Sequence, residues 1–270
     1  NFPILGLNHI NVKNEDGIAH LKAMSPVDCI FLDPARRNEH GGKTVAISDC
    51  EPNVAELEGL LLSKANRIMI KLSPMLDLSQ ALKELPHTQE VHIISVNNEC
   101  KELLLLLGQT APEEIPVHCV NLSTKGEQEK QLFVFTREQE QHSECSYTDT
   151  LGNYLYEPNA SLLKAGAFRS IAAAYSVKKL HPNSHLYTSD TQIEGFPGRT
   201  FRIINRCSLN KKEIKENLSD LKKANITVRN FPATVAELRK RIKLAEGGDT
   251  YLFASTLNDG QKILIRCGKV

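Results

Sequence analysis

Residues 1–137 alternate short apolar runs with helical patterns, and this alternation restricts the possible folds more than any other feature of the sequence. Four of the runs have the length of strands: 29–32, 45–47, 67–71 and 91–96. Leucines at helical spacing separate them, in residues 54–61 and 78–85. Strands that alternate with helices predict a parallel sheet with helices on both faces. We therefore expect an α/β fold in this part of the chain.

Two hairpins are predicted after these units. Asn97 and Asn98 favour a tight turn between the run 91–96 and the apolar run that follows it, because asparagine tolerates the backbone of such turns. The runs 117–122 and 132–136 flank a polar stretch and predict a further hairpin. We expect the first hairpin to close the sheet.

The rest of the chain predicts smaller α+β units. The polar segment 137–153 lacks apolar periodicity and is the predicted linker. Asn159 then caps a predicted helix, and from Thr200 the pattern is βαβαββ, with Thr234 and Glu237 at the spacing of a capping box. The expected domains are residues 1–140, 150–198 and 199–270.

The charge of the chain is unevenly distributed. Its 33 Lys+Arg and 32 Asp+Glu give a net charge of +1. Residues 201–270, however, carry 15 basic and 7 acidic side chains, a net charge of +8, which leaves −7 for the rest. A clustered basic surface is typical of proteins that bind phosphate groups, so this segment indicates a nucleic-acid partner.

The composition is that of a globular protein, with 41% hydrophobic and 24% charged residues. The longest unbroken apolar run, 103–107, is far shorter than the roughly 20 residues of a membrane helix, so no membrane partner and no secretory signal are expected. Seven dispersed cysteines without a C-x-x-C motif indicate reduced thiols in a cytoplasmic protein and no structural metal. Because the chain begins at Asn1 without methionine, we expect it to be part of a longer one.

The sharpest candidate site is the segment Asp33-Pro34-Ala-Arg36-Arg37. An acid at the carboxyl end of a buried strand points into the crevice where open α/β sheets bind ligands, and proline stiffens the turn. The two arginines can hold a phosphate or a carboxylate. The alternative is a plain Asp-Pro turn with two solvated arginines.

Two further strand ends carry polar groups. Glu15 and Asp16 follow the apolar run 10–12, and Lys71 ends the run 67–71. We expect all three strand ends to line one crevice. The alternatives are that Glu15 and Asp16 only start a helix and that Lys71 is an ordinary surface lysine.

These motifs resemble a known family. The spacing of Asn14-Glu-Asp16-Gly17 and Asp33-Pro-Ala-Arg-Arg37 resembles two motifs of class I S-adenosylmethionine-dependent methyltransferases. With Lys71-Leu-Ser-Pro74 further on, the chain looks like a bacterial group of RNA methyltransferases with a THUMP-like C-terminal domain. Residues 201–249 resemble that domain, and residues 155–166 resemble the small ferredoxin-like domain that precedes it.

The resemblance implies a fold, an activity and roles for single residues. The fold would be part of a Rossmann-like methyltransferase domain, followed by a ferredoxin-like α+β domain and a THUMP-like α+β domain. The resemblance also implies S-adenosylmethionine as the cofactor, with Asp16 near its adenine and Glu15 beside it. Asp33 would face the cofactor and the methyl-transfer site, and Pro34 would shape the wall. Arg36 and Arg37, together with Lys71, would contact RNA. The glycine-rich cofactor loop of the family is expected upstream of Asn1.

The basic segment supplies the remaining candidates for RNA contact. Lys211 and Lys212 lie on one predicted helix, and Arg239 and Arg241 lie on another. Only 6% of the residues are aromatic, so few side chains are available for base stacking. We therefore expect contacts with the phosphates of a folded RNA, either a tRNA or an rRNA. The alternative is a pair of solvated helix faces.

The predicted function is therefore that of an S-adenosylmethionine-dependent RNA methyltransferase. Two alternatives remain open. One is an RNA-binding protein whose methyltransferase-like body is a non-catalytic scaffold. The other rests on the similarity of the D-P-A-R segment to uracil-5 methyltransferases, which use a catalytic cysteine; Cys100 is the candidate here, without the Cys-Asn-Pro context.

Overall fold

The structure is a computed structural model that describes residues 2–36, 46–124 and 130–270. The chain divides into two compact units, one of Asn1–Glu90 with Leu104–Glu113 and one of Val91–Leu103 with Glu114–Val270. No helix in the described ranges has the length and apolar character needed to cross a bilayer. The three predicted domain ranges stay a prediction.

The elements of the first part of the chain follow the predicted alternation. The helices are α1 (Gly17–Ala23), α2 (Val54–Lys64) and α3 (Leu78–Glu84). The strands are β1 (Val27–Leu32), β2 (Ala35–Arg36), β3 (Cys50–Glu51), β4 (Ala65–Leu72), β5 (Thr88–Val96) and β6 (Glu99–Leu107). The predicted α/β class is confirmed.

Strands β1 and β4 pair in parallel, with Leu32 opposite Ile70. Helix α2 packs on β4, and Leu61 of the helix and Ile68 of the strand are both buried. Asn53 starts this helix by accepting a hydrogen bond from the N–H of Ala55. The parallel pairing brings the carboxyl ends of β1 and β4 to the same edge, which positions the candidate site.

Two predicted strands of this region are wrong. The run 10–12 has no regular structure, and Val12 is 73% exposed. An extended segment needs a paired neighbour to become a strand, and no described strand pairs with this one. Ile47, at the end of the predicted strand, lies in a 3₁₀ helix, Ile47–Asp49, where its side chain is buried. Val45, at the start of that strand, lies outside the described residues.

The second part of the chain contains more strand than helix. Its strands are β7 (Pro116–Leu122), β8 (Lys130–Thr136), β9 (Tyr154–Pro158), β10 (Lys178–Lys179), β11 (Tyr187–Ser189), β12 (Gly198–Cys207), β13 (Asn225–Val228), β14 (Thr250–Thr256) and β15 (Lys262–Lys269). Its helices are α4 (Arg137–His142), α5 (Ala160–Ala165), α6 (Arg169–Ala174), α7 (Lys211–Leu218) and α8 (Val235–Ile242).

The strands form two main sheets. The first has the order β1-β4-β6-β5-β7-β8 and the second the order β10-β11-β9-β12-β15-β14-β13. Asn97 and Asn98, with φ of 50° and 64°, make the predicted two-residue turn between β5 and β6. The hairpin of β7 and β8 is antiparallel as predicted. It extends the sheet beyond β5, so the expectation that the first hairpin closes the sheet is wrong.

The C-terminal order βαβαββ is confirmed by β12, α7, β13, α8, β14 and β15. The predicted caps start both helices: Asn210 accepts from the N–H of Glu213, and Thr234 and Glu237 form a capping box. Leu218 and Leu238 of the helices pack with Leu252 of the sheet in one buried cluster. The apolar positions of the helices therefore build the core of this segment.

Two local predictions in the middle of the chain need correction. Residues 137–142 of the predicted linker form α4, because Thr136 and Gln139 make a capping box that starts an exposed helix without apolar periodicity. The single helix expected after Asn159 is divided into α5 and α6. Gly166, with φ of 77°, ends α5 in the left-handed conformation that glycine adopts most readily.

Candidate functional site

Asp33 and Lys71 meet at the carboxyl edge of the parallel pair. The Lys71 Nζ lies 2.7 Å from Asp33 Oδ2, and the two side chains are 31% and 54% exposed. Pro34, next to Asp33, is buried. The structure thus brings two of the three predicted polar strand ends together, in a position open to solvent.

Glu15 and Asp16 have local structural roles. Asp16 is the N-cap of α1, and its Oδ1 accepts a hydrogen bond from the N–H of Ala19 at 2.7 Å. Glu15 lies 2.7 Å from His20 Nδ1 and 3.7 Å from Lys13 Nζ. Asp16 thus starts α1 through a local cap, which the simpler interpretation of the sequence allowed, and a role of the two acids in holding a cofactor stays a prediction.

The arginines of the Asp33 segment are only partly described. Arg36 belongs to β2, where its backbone lies opposite Cys50 of β3. Arg37 lies outside the described residues. Their predicted contact with RNA stays a prediction.

Cys100 lacks the environment of a reactive nucleophile. Burial raises the pKa of its thiol, and the nearby hydroxyl of Ser95 and the charge of Lys164 offset this effect only in part. A catalytic cysteine needs a lowered pKa. The same burial raises the pKa of Cys207 to about 11 and that of Cys267 to about 12. These thiols therefore behave as small buried apolar groups.

The basic residues of α7 and α8 divide into two kinds. Lys211 and Lys212 are exposed in the first turn of α7. Arg241 is also exposed and donates from Nη2 to the carbonyl oxygen of Leu209 at 2.7 Å, which places its charge beside the start of α7. Arg239 is 20% exposed and donates from Nη1 to the carbonyl oxygen of Ala224. The Arg239 side chain is thus largely covered, whereas the other three side chains are exposed and can meet an anion.

Sequence reasoning missed a buried ion-pair cluster in the second unit. Glu157 of β9 is 2% exposed, accepts from Arg199 Nε at 2.9 Å and from Arg199 Nη2, and accepts from Arg229 Nη2 at 2.8 Å. An acid inside the apolar run Leu155-Tyr-Glu-Pro was the available signal, since buried carboxylates need partners. The sequence alone did not indicate which cations those would be.

Comparisons with known proteins cover both parts of the chain. Residues 154–197 match a ferredoxin-like domain family, and residues 198–269 match a THUMP domain-like family. The crystal structure of a proposed methyltransferase from Porphyromonas gingivalis W83 matches with a TM-score of 0.82 and 40% sequence identity. The match covers 90% of this chain and 60% of that chain. A search of curated proteins found no match.

These findings confirm the predicted resemblance and the predicted fold class. The mixed α/β architecture with two main sheets agrees with the expectation, and the two domain matches follow one another in the expected order. The chain thus carries a ferredoxin-like domain followed by a THUMP-like domain, and it shares the fold of the Porphyromonas gingivalis protein, a proposed methyltransferase.

Proposed function

We propose that the protein is an S-adenosylmethionine-dependent methyltransferase that acts on RNA in the cytoplasm. The single observation that carries the proposal is the Asp33–Lys71 pair at the carboxyl edge of two parallel strands, where open α/β sheets bind their ligands. The likeness to a proposed methyltransferase supports the reaction class. The THUMP-like domain supports RNA as the substrate.

The acids near α1 have the chemistry to hold the adenine of the cofactor. Asp16 uses Oδ1 for the helix cap, and its Oδ2 accepts from no described residue. The Glu15 side chain is 46% exposed. Carboxylate oxygens accept hydrogen bonds from an exocyclic amino group, so both residues fit this part of the cofactor. When bound, S-adenosylmethionine supplies a methyl group on a positively charged sulfur.

Asp33 positions the group that receives the methyl. Lys71 holds Asp33 Oδ2, so the carboxylate keeps a defined orientation and Oδ1 can accept a hydrogen bond from an amine of the substrate. That bond would aim the nitrogen lone pair at the methyl group, and holding two reactants in line lowers the entropic part of the barrier. The buried ring of Pro34 stiffens the backbone next to this carboxylate.

The exposed cations of the THUMP-like domain would bind the RNA backbone. Lys211, Lys212 and Arg241 lie around the start of α7, and residues 201–270 carry a net charge of +8. Such cations bind phosphates independently of base sequence. A tRNA or an rRNA offers the folded phosphate surface that this arrangement suits.

The proposal is tested by methyl transfer from radiolabelled S-adenosylmethionine to RNA, with the protein expressed from its complete gene. Asp33→Asn keeps the shape of the side chain but removes the charge that pairs with Lys71 and orients the group, and we expect a loss of at least about 100-fold in rate. Asp28→Asn is the matched control, because Asp28 is an exposed acid of the strand that precedes Asp33. It should leave the rate unchanged.

Two outcomes would contradict the proposal in different ways. Undiminished transfer by the Asp33→Asn variant would refute the role of Asp33. Salt-dependent RNA binding by a protein that transfers no methyl group to any RNA would favour the non-catalytic scaffold, an alternative supported by the local structural roles of Glu15 and Asp16.

A further inference from the structure

A cavity of about 720 Å³ lies within the second unit. The turn Asn97–Asn98, the ends of β7 and β8, the N-cap of α5 and the segment 192–200 contribute to its walls. Ligand pockets of proteins have volumes of about 300–1,000 Å³, so the cavity has room for a small molecule. None of the residues assigned to methyl transfer lines it.

One wall of the cavity is a chain of hydrogen-bonded carboxamides. The backbone N–H of Asn98 donates to Asn121 Oδ1 at 2.9 Å. Nδ2 of Asn121 and Nδ2 of Asn159 both donate to Gln131 Oε1, at 3.3 and 3.1 Å. Gln131 Nε2 in turn donates to the carbonyl oxygen of Gly198 at 3.1 Å. Each amide thereby has a fixed orientation before any ligand arrives.

The Asn98 side chain has an amide donor that no described residue uses. Its Oδ1 accepts from the backbone N–H of Ala160 at 2.8 Å, whereas its Nδ2 donates to no described residue. Nucleobases carry hydrogen-bond acceptors along their edges, and the amide groups of Asn and Gln commonly donate to them. The wall can therefore recognise a base by hydrogen bonds rather than by stacking.

Cations lie on another part of the cavity wall. Arg199 is 42% exposed and shares the buried Glu157 with Arg229, so two guanidinium groups face one carboxylate and one positive charge remains. Lys269, exposed on β15, lies opposite Phe201 of β12. Both Arg199 and Lys269 line the cavity. Guanidinium and ammonium groups bind phosphate through charge-assisted hydrogen bonds.

We propose that this cavity binds a single ribonucleotide, either as the free monophosphate or as one unit of an RNA chain. Asn98 Nδ2 would donate to the base, and Arg199 and Lys269 would contact the phosphate. Glu194, which also lines the cavity, can accept from the ribose hydroxyl groups. The RNA source rests on the function proposed above. The binding itself requires no methyl transfer.

The test is calorimetric titration of the protein with AMP, GMP, CMP and UMP, with inorganic phosphate and with a short single-stranded ribo-oligonucleotide. We expect at least one nucleotide to bind at least about tenfold more tightly than phosphate, because the base adds hydrogen bonds. Displacement of the nucleotide by the oligonucleotide identifies RNA as the source. Failure of the oligonucleotide to displace it identifies the free nucleotide.

Two variants locate the binding. Asn98→Asp keeps the acceptor for Ala160 and tolerates the left-handed backbone, but removes the spare donor. Lys269→Gln removes a cavity cation. Each should weaken nucleotide binding by about tenfold, through loss of a hydrogen bond or a charge. Lys178→Gln, the same change at an exposed lysine of β10, should leave it unchanged.

The proposal is overturned if no nucleotide or oligonucleotide binds, if phosphate binds as tightly as the nucleotides, or if both cavity variants, folded by circular dichroism, bind like the parent. Its failure is separable from that of the methyltransferase assignment. Asp33→Asn should lower the rate of methyl transfer by at least about 100-fold and leave nucleotide affinity unchanged. A protein that binds nucleotides at this cavity but methylates no RNA contradicts only the proposed function.

Discussion

The buried carboxylate of Glu157 offers a test of how the second unit is held together. Its two oxygens are divided between two cations: Oε2 accepts from Arg199, and Oε1 accepts from Arg229 Nη2 at 2.8 Å. We consider the substitution Glu157→Gln, which preserves the volume of the side chain. The amide oxygen can still accept from one arginine, while the amide NH₂ faces the other cation without charge compensation.

The expected loss follows from burial. Removing one partner of a buried ion pair costs about 3–5 kcal/mol, because it leaves an uncompensated charge. The Glu157 side chain is 2% exposed, but Arg199 and Arg229 are 42% and 35% exposed, so water can solvate them in part. We therefore expect Glu157→Gln to lower the free energy of unfolding by about 2–3 kcal/mol.

The assay is urea unfolding followed by far-ultraviolet circular dichroism, at low salt and in about 0.5 M NaCl. Salt screens buried pairs little, so the loss should persist at high salt. Asp220→Asn is the control: Asp220 is 62% exposed and holds Arg266 through two hydrogen bonds, so its smaller loss should shrink with salt. A loss below about 0.5 kcal/mol for Glu157→Gln at both salt concentrations would refute the reasoning.

Two other predictions concern pH and RNA. Burial, together with the charges of Lys179 and Arg229, lowers the pKa of His185 to about 4. The unfolded chain therefore binds a proton at this residue near pH 6.5, whereas the folded chain does not. Stability should fall as the pH drops from about 7 towards 4. We expect His185→Asn to reduce the fall in the free energy of unfolding between pH 7 and 5 by about 1 kcal/mol, a value that allows for the partial exposure of the ring. Asparagine tolerates the φ of 51° at this position. Urea titrations measure the change, and an unchanged pH dependence would contradict the prediction. Replacing Lys211 and Lys212 by Gln should reduce the slope of log K against log salt concentration for RNA binding by roughly 1–2. Fluorescence anisotropy measures this slope, and the control Lys178→Gln should not change it. Equal slopes for the parent and the Lys211/Lys212 variant would exclude these lysines from the RNA surface.

Local signals predicted the regular elements where the interactions themselves are local. The Thr234–Glu237 capping box and the Asn97–Asn98 turn join residues within three positions of each other, so their residue types suffice to place a helix start and a hairpin. Thr136 and Gln139 form the same kind of capping box, but the segment after them lacks apolar periodicity and was therefore predicted to be a linker. A capping box can therefore start an exposed helix that a search for apolar periodicity misses.

The candidate site was predicted only where strand order could be inferred. Asp33 and Lys71 lie together because each ends a strand of a parallel pair, and parallel strands carry their carboxyl ends to the same edge. The run 10–12 shows the limit of that reasoning. Its apolar residues favour a strand, but a strand exists only with a paired neighbour, and no described strand pairs with this run.

Periodicity, caps and composition are properties of neighbouring residues. They were therefore enough to predict the alternation of strands and helices, the order βαβαββ of the C-terminal segment and its basic charge. The pairing of Glu157 with both Arg199 and Arg229 is a property of the folded chain, and so is the wall formed by Asn98, Asn121, Gln131 and Asn159. These contacts join residues 10 to 72 positions apart. Their partners are chosen by sheet register and loop path, which no local pattern contains.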